Sequence, residues 1–188
     1  MNDKDILVIH PYLKKKRINK DYFLEEAINL VKAINLNCID SLLVGLDTIS
    51  PKTYLNKGFI RKIKLEASNN KVDLLLINTT LSPIQQRNLE KDLNCKVLDR
   101  TNLILEIFGS RAKSNEGKLS VTLASLEYQK SRLVRSWTHL ERQRGGAGFM
   151  GGPGEKQIES DRRQITERIN RLKKKIKNII SRKIGRAH

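Results

Sequence analysis

Twelve residues, Arg144 to Glu155, hold six of the chain's eleven glycines, and the charged segments on either side are free of glycine. Glycine loses the most backbone entropy on being fixed and tolerates positive φ, so this density opposes regular structure. A glycine loop between two long helices is therefore the simplest arrangement. The flanks support it. Leu119, Leu123, Leu126, Leu133, Trp137 and Leu140 keep a 4-3 spacing, with Lys130 at the one polar step. Beyond the loop, Ile158, Ile165, Ile169, Leu172, Ile176 and Ile179 repeat it, with Arg162 at the gap. Seven-residue repeats on both sides of a loop predict an antiparallel coiled-coil hairpin. Each arm spans about 25–28 residues, roughly 40 Å. Folding about Phe149 brings Leu133 toward Ile165, Leu126 toward Leu172, Leu123 toward Ile176 and Arg162 toward Trp137. Glu155 is expected to cap the second helix. Phe149 and Met150 at the tip either fold back onto the helix ends or dock into a partner.

The first half has a different period. Ile6–Ile9, Cys38–Val44, Val72–Ile77 and Cys95–Leu98 are short apolar runs suited to strands buried on both faces. Helical patterns separate them: one capped by Asp21 and carrying Leu24, Ala27, Ile28, Val31 and Ile34, one over about 57–68 ended by Asn69-Asn70, and one from Ser82-Pro83 to Leu93. Alternation of this kind predicts an α/β fold, with a small parallel βαβ sheet. Thr101 to Ala112 reads as a further helix that leaves the sheet. The expected organisation is a parallel α/β subdomain over 1–112 and a basic helical hairpin over 113–188, with its loop at 144–155.

Charge divides the same way. Residues 1–110 carry 17 Lys and Arg against 13 Asp and Glu, whereas residues 111–188 carry 20 against 7. The basic half points to a polyanion, with nucleic acid ahead of an anionic membrane. Arg132, Arg135, Arg142, Arg144, Lys156, Arg162 and Arg163 crowd the loop end, and Lys173, Lys174, Lys175, Lys177, Arg182, Lys183 and Arg186 crowd the far end of the second arm. Such cations would hold phosphates. The amides of Gly145, Gly146, Gly148, Gly151 and Gly152 could approach RNA closely, and Phe149 could stack on a base. The lysine run also fits a solvated helix face, and Lys14-Lys15-Lys16-Arg17 fits either a solvated turn or a phosphate contact.

Motifs for other chemistry are missing from these residues. No G-x-G-x-x-G follows the first strand and no Walker-type loop occurs; Gly151 to Lys156 lacks its spacing and its Ser/Thr. His10, His139 and His188 join no Cys, Asp or Glu motif. Asp47, Asp73, Asp99 and Glu106 are scattered, some near strand ends. Cys38 and Cys95 read as reduced core residues of a cytoplasmic protein. No apolar run approaches ~18 residues, so membrane insertion is not expected.

Two runs flanking the loop carry a resemblance. Ser136-Trp137-Thr138-His139-Leu140-Glu141-Arg142-Gln143-Arg144-Gly145-Gly146 and Gly151-Gly152-Pro153-Gly154-Glu155-Lys156-Gln157-Ile158-Glu159-Ser160-Asp161-Arg162-Arg163 resemble the signature of the N-terminal region of HflX-type GTPases. Leu81-Ser82-Pro83, Val97-Leu98-Asp99-Arg100-Thr101 and Glu116-Gly117-Lys118-Leu119 are also similar, and the likeness runs over about residues 50 to 172. It implies a module that binds the large ribosomal subunit and its rRNA, with the glycine loop toward the peptidyl transferase centre, in proteins that split or rescue stalled ribosomes under stress. RNA unwinding and adenine-nucleotide binding have been ascribed to this region in some members. In the family a GTPase domain follows, with a P-loop and an Asn-Lys-x-Asp segment that these 188 residues lack. GTP and Mg would belong to that domain, in cis or in trans, so no cofactor and no GTP hydrolysis are expected of this chain alone, taken as a monomer. The rival expectations are an ATP-dependent RNA-remodelling domain and a truncated remnant without function.

Overall fold

A computed structural model describes the backbone over residues 4–143 and 153–184, and side chains over 4–133, 159–179 and 181. Contacts divide the chain into two units, residues 1–110 and 111–188. The first alternates strands and helices: β1 (Lys4–Leu13), α1 (Lys20–Lys32), β2 (Leu36–Leu46), α2 (Lys57–Asn69), β3 (Leu74–Ile77), α3 (Pro83–Leu93), β4 (Lys96–Asp99) and α4 (Arg100–Arg111). The second holds α5 (Asn115–Gln143) and α6 (Pro153–Ile184).

The four strands form one parallel sheet in the order β2-β1-β3-β4. The order explains the helix positions. A right-handed crossover from β1 to β2 runs one way along the sheet, and the next two crossovers run the other way. Helix α1 therefore lies on one face, and α2 and α3 on the other. Alternate side chains of the central strands serve the two faces. Leu7 and Ile9 of β1 and Leu75 and Ile77 of β3 pack with Ile60, Ile63 and Ala67 of α2 and Leu89 and Leu93 of α3. Ile6, Val8 and Leu76 pack with Ala27 and Val31 of α1 and Leu103 and Ile107 of α4. Helix α4 thus closes a face of the sheet, where the sequence predicts that it leaves. Its apolar residues complete the cover over β3 and β4 that α1 alone cannot provide.

Local signals set most boundaries. Helix α3 starts at Ser82 with a capping box: the Ser82 hydroxyl accepts from the Gln85 amide at 3.2 Å, and the Ser82 amide donates to Gln85 at 2.9 Å. It ends at Asn94, with φ 55°. Helix α1 is capped by Asn19, whose side chain accepts from the Tyr22 amide. Asp21, the expected cap, lies in the first turn. Strand β1 runs to Leu13, four residues past the predicted apolar run, because ladder pairing with β2 continues to Leu46.

In the second unit, Ser114 accepts from the Gly117 amide at the start of α5. The two long helices pack antiparallel: Lys173 Nζ lies 2.8 Å from Glu127 Oε1, while Leu123 and Ile176 line one groove. This register agrees with the expected approach of Leu123 to Ile176. Among the described residues, Leu126 and Ile169 are the buried residues of the seam, at 5% and 4% exposure. Helix α6 begins at Pro153, which puts Glu155 in its first turn; the Glu155 side chain, and with it the expected cap, lies outside the described residues.

Candidate nucleic-acid interface

Helix α6 sorts its residues by the helical period. Ile165, Leu172, Ile176 and Ile179 are partly covered and Ile169 is buried, whereas Arg162, Arg163, Arg168, Arg171, Lys174, Lys175 and Lys177 are exposed. At ~3.6 residues per turn, Arg163 and Lys174 fall on the line opposite the seam, and Arg162 and Lys177 fall on one flank. Carboxylates temper this charge: Glu127 pairs with Lys173, and Glu167 with Arg171 at 3.4 Å. Both pairs are about half exposed or more, so each contributes at most about 1 kcal/mol. On α5, the Arg132 guanidinium stacks over the Tyr128 ring at 4.3 Å. The outer face is a dense cationic surface with its charges in water.

Of the residues expected to contact RNA, Arg162 and Arg163 stand on this exposed face. Arg135 and Arg142 lie on the backbone of α5 and Lys156 on that of α6. Their side chains, and that of Trp137, lie outside the described residues. Arg144, Gly145, Gly146, Gly148, Phe149, Met150, Gly151 and Gly152 lie outside them altogether.

The α/β unit holds a second cluster that the sequence pattern does not announce. The chain leaves β1 and β3 in opposite directions, and ligands of open α/β sheets bind at the carboxyl ends of such strands. There Asn78, just after β3, is a hub. Its Oδ1 accepts from the Arg100 guanidinium at 2.9 Å, and its Nδ2 donates to the Phe23 carbonyl at 3.0 Å and lies 3.0 Å from His10 Nδ1. Arg100 also holds Glu26 Oε1 at 2.7 Å. Arginine only donates and a carbonyl only accepts, so the amide orientation is determined. His10 Nδ1 must then accept, which leaves the proton of the neutral ring on Nε2. Among the described residues that buried Nε2 has no hydrogen-bond partner. An unmet buried donor costs about 1–3 kcal/mol. Burial holds the imidazole pKa below its usual value and the Arg100 charge adds to the effect, while the backbone of Asn78 and the Glu26 charge oppose it. Asp99, fully buried, accepts from the amides of Leu81 at 3.2 Å and Asn102 at 2.8 Å, joining the β3–α3 loop to the start of α4. It is a scaffold residue of this edge.

The cysteines are unpaired and half-buried at the sheet margins instead of deep in the core. Burial raises both thiol pKa values above the ordinary one. Among the described residues no helix is long and apolar enough to cross a membrane, and no group of three His, Cys, Asp or Glu could hold a metal ion.

Comparison with known proteins agrees with this two-part architecture. Residues 21–109 match the family model "GTP-binding GTPase N-terminal", and residues 111–187 match "GTP-binding GTPase Middle Region". The GTPase HflX of Magnetococcus marinus is 52% identical over 156 residues, covering 83% of this chain and 36% of that protein. The GTPase HflX of Escherichia coli K12 is 38% identical over 173 residues, covering 92% of this chain and 40% of that protein. The chain thus spans well under half the length of these relatives. Two crystal structures share the fold: SsGBP in complex with GDP, with a TM-score of 0.70 and 24% identity over 97% of this chain and 46% of that one, and a GTP-binding protein of the archaeon Sulfolobus solfataricus in complex with GDP, with a TM-score of 0.65 and 24% identity over 94% of this chain and 45% of that one. With both regions matched in order along the chain, and the boundary between them at the junction of the two structural units, this chain belongs to the HflX family of GTP-binding GTPases and corresponds to their N-terminal and middle regions.

Proposed function

We propose that these residues form the ribosome-binding region of an HflX-type GTPase, which contacts the rRNA of the large subunit through the basic hairpin and its glycine loop. The observation that carries this reading is the solvent face of α6, where Arg163 and Lys174 stand exposed opposite the apolar seam and Arg162 and Lys177 stand exposed on one flank. A helix pair needs no such charge to fold, and like charges on one face oppose it. A polyanionic partner gives the charge a use, through phosphate neutralisation and counterion release. In this reading Arg142, Arg144, Lys156, Arg162 and Arg163 hold phosphates, while Phe149 and Met150 fill an RNA crevice. The residues present supply no phosphate-binding loop for GTP, so hydrolysis and the splitting or rescue of stalled ribosomes depend on the family's GTPase domain.

Co-sedimentation of the purified chain with large ribosomal subunits over a salt series tests the proposal. Binding is expected near physiological salt, weakening steeply as salt rises. The triple variant R163E/K174E/K177E should lower the slope of log affinity against log salt by about 2, at ~0.7–0.9 for each phosphate that is no longer neutralised. Binding that is independent of salt, or unchanged in this variant, overturns it.

A further inference from the structure

The carboxyl edge of the sheet carries a surface that the hairpin reading leaves unused. The connection from β1 to α1 places Lys14, Lys15, Lys16 and Arg17 in one exposed run. Lys14 is bridged to Asp47 at 3.0 Å, and the next three cations stand exposed beside it. Aromatic rings interleave with this charge. Lys20 lies over the Tyr12 ring at 5.2 Å. Tyr12 is seated against Gly45, where an added Cβ would come within 2.9 Å of the phenol oxygen. A side chain at position 45 would therefore displace this ring.

A second line of rings runs from the interior to the surface. His10 is 6% exposed and stacks on Phe23, with centroids 5.8 Å apart and planes 23° apart. Phe23 meets Tyr22 edge-on at 5.6 Å. Tyr22 is 60% exposed, an unusual position for an aromatic side chain that makes so little use of its own core. At the inner end of this line is the buried His10 Nε2–H, which has no hydrogen-bond partner among the described residues. Rings offer a stacking surface to any base, cations hold the backbone between bases, and a buried donor can read one acceptor. Together these are the parts of a site for an unpaired strand. The family model for the N-terminal region begins at residue 21, after the basic run.

We propose that the β1–α1 edge of the α/β unit is a second nucleic-acid site, in which Lys15, Lys16 and Arg17 hold the phosphates of an unpaired RNA strand and a base stacks on Tyr22, with the Phe23 ring edge-on beside it. That the strand is RNA rests on the reading of the hairpin given above; the phosphate-and-base chemistry does not. A duplex fits poorly, because its bases are already stacked and cannot reach the rings. Asp21, Glu25 and Glu26 lie on the same helix and favour a strand that passes along the loop over one that lies along α1.

The test is photo-crosslinking of the full chain to a 4-thiouridine-substituted, single-stranded RNA of about 12 nucleotides, read by tryptic peptide mapping. The peptide Asp21–Lys32 contains both rings and is released by cleavage after Lys20 and Lys32. It is expected to carry label. K15E/K16E/R17E should cut that label about tenfold or more while label on α6 persists. Tyr22→Ala should lower it about 5-fold or more, as the loss of one base–aromatic stack implies. All the substituted residues are exposed, so the variants should melt like the parent. Label confined to residues 111–188 would overturn this site while leaving the hairpin reading intact. Label on Asp21–Lys32 with none on α6 would support this site and count against the hairpin. Label on Asp21–Lys32 that K15E/K16E/R17E leaves unchanged would refute the proposal. So would displacement by free UMP as effective, per nucleotide, as displacement by unlabelled RNA, since the site would then serve free nucleotides.

Discussion

Replacing Asn78 by Ala tests whether the carboxyl edge is held by the network described above. The substitution removes the acceptor of Arg100 and the donor to both His10 Nδ1 and the Phe23 carbonyl. Neutral hydrogen bonds contribute about 1 kcal/mol each, and one to a charged group about 1.5–3. The two ends differ in how far water can repair the loss. The His10 ring is 6% exposed and stays unpaired, whereas the Arg100 side chain is 30% exposed and can be rehydrated in part. The expected cost is therefore about 3–4 kcal/mol, toward the lower end of the sum, and within the ~5–15 kcal/mol typical of a folded domain. Hydrogen exchange of the β1 and β3 amides reads the α/β unit without interference from the hairpin. Protection of Leu7–Ile9 and Leu75–Ile77 should fall about 100- to 1,000-fold, at ~1.4 kcal/mol per factor of ten. Arg100→Ala combined with Asn78→Ala should cost less than the two single losses together, by about 1–2 kcal/mol, as expected for partners in one network. A protection loss below tenfold, or strict additivity, would refute the assignment of Asn78 as the hub.

Further outcomes follow from the same geometry. The depressed His10 pKa means that the unfolded chain binds a proton more readily than the folded one as pH falls below about 6.5, the ordinary value. The stabilisation is present above that pH and is lost on acidification toward the lower folded value. Urea unfolding between pH 7.5 and 5 should show this decline, and His10→Gln should flatten it; an unchanged slope would exclude His10 as its source. Leu126→Ala or Ile169→Ala should cost the hairpin about 2–4 kcal/mol, read as faster exchange along α5 and α6 with unchanged exchange in the sheet. If Phe149 and Met150 act as proposed, replacing both by Ala should weaken large-subunit binding without lowering the melting temperature; a lower melting temperature with binding intact would contradict the proposal.

The elements legible beforehand share one property: their information is local. Ser82-Pro83 with Gln85 forms a capping box from four consecutive residues, and α3 begins where those residues predict. The 4-3 spacing of leucine and isoleucine foreshadowed α5 and α6, because a helix places every third and fourth residue on one line. The charge of the hairpin was equally legible, since charge is counted from composition alone. The likeness of the segments around the glycine loop to HflX-type GTPases rested on a long run of residues, and the family match bears it out.

The remainder depended on neighbours distant in the chain. Strand β1 reaches Leu13 because β2 offers ladder partners as far as Leu46, which no apolar run reveals. Helix α4 stays on the sheet because Leu103 and Ile107 meet Ile6, Val8 and Leu76, strands away in sequence. His10, Glu26, Asn78 and Arg100 form no motif along the chain. They meet because the strand order reverses between β1 and β3, which draws a strand end, a helix face and a helix start to one edge. The sequence by itself determined periodicity, caps and net charge, since each depends on residues a few steps apart. Only the tertiary structure decided which polar groups face one another, because burial assembles them across 68 positions of chain, from His10 to Asn78.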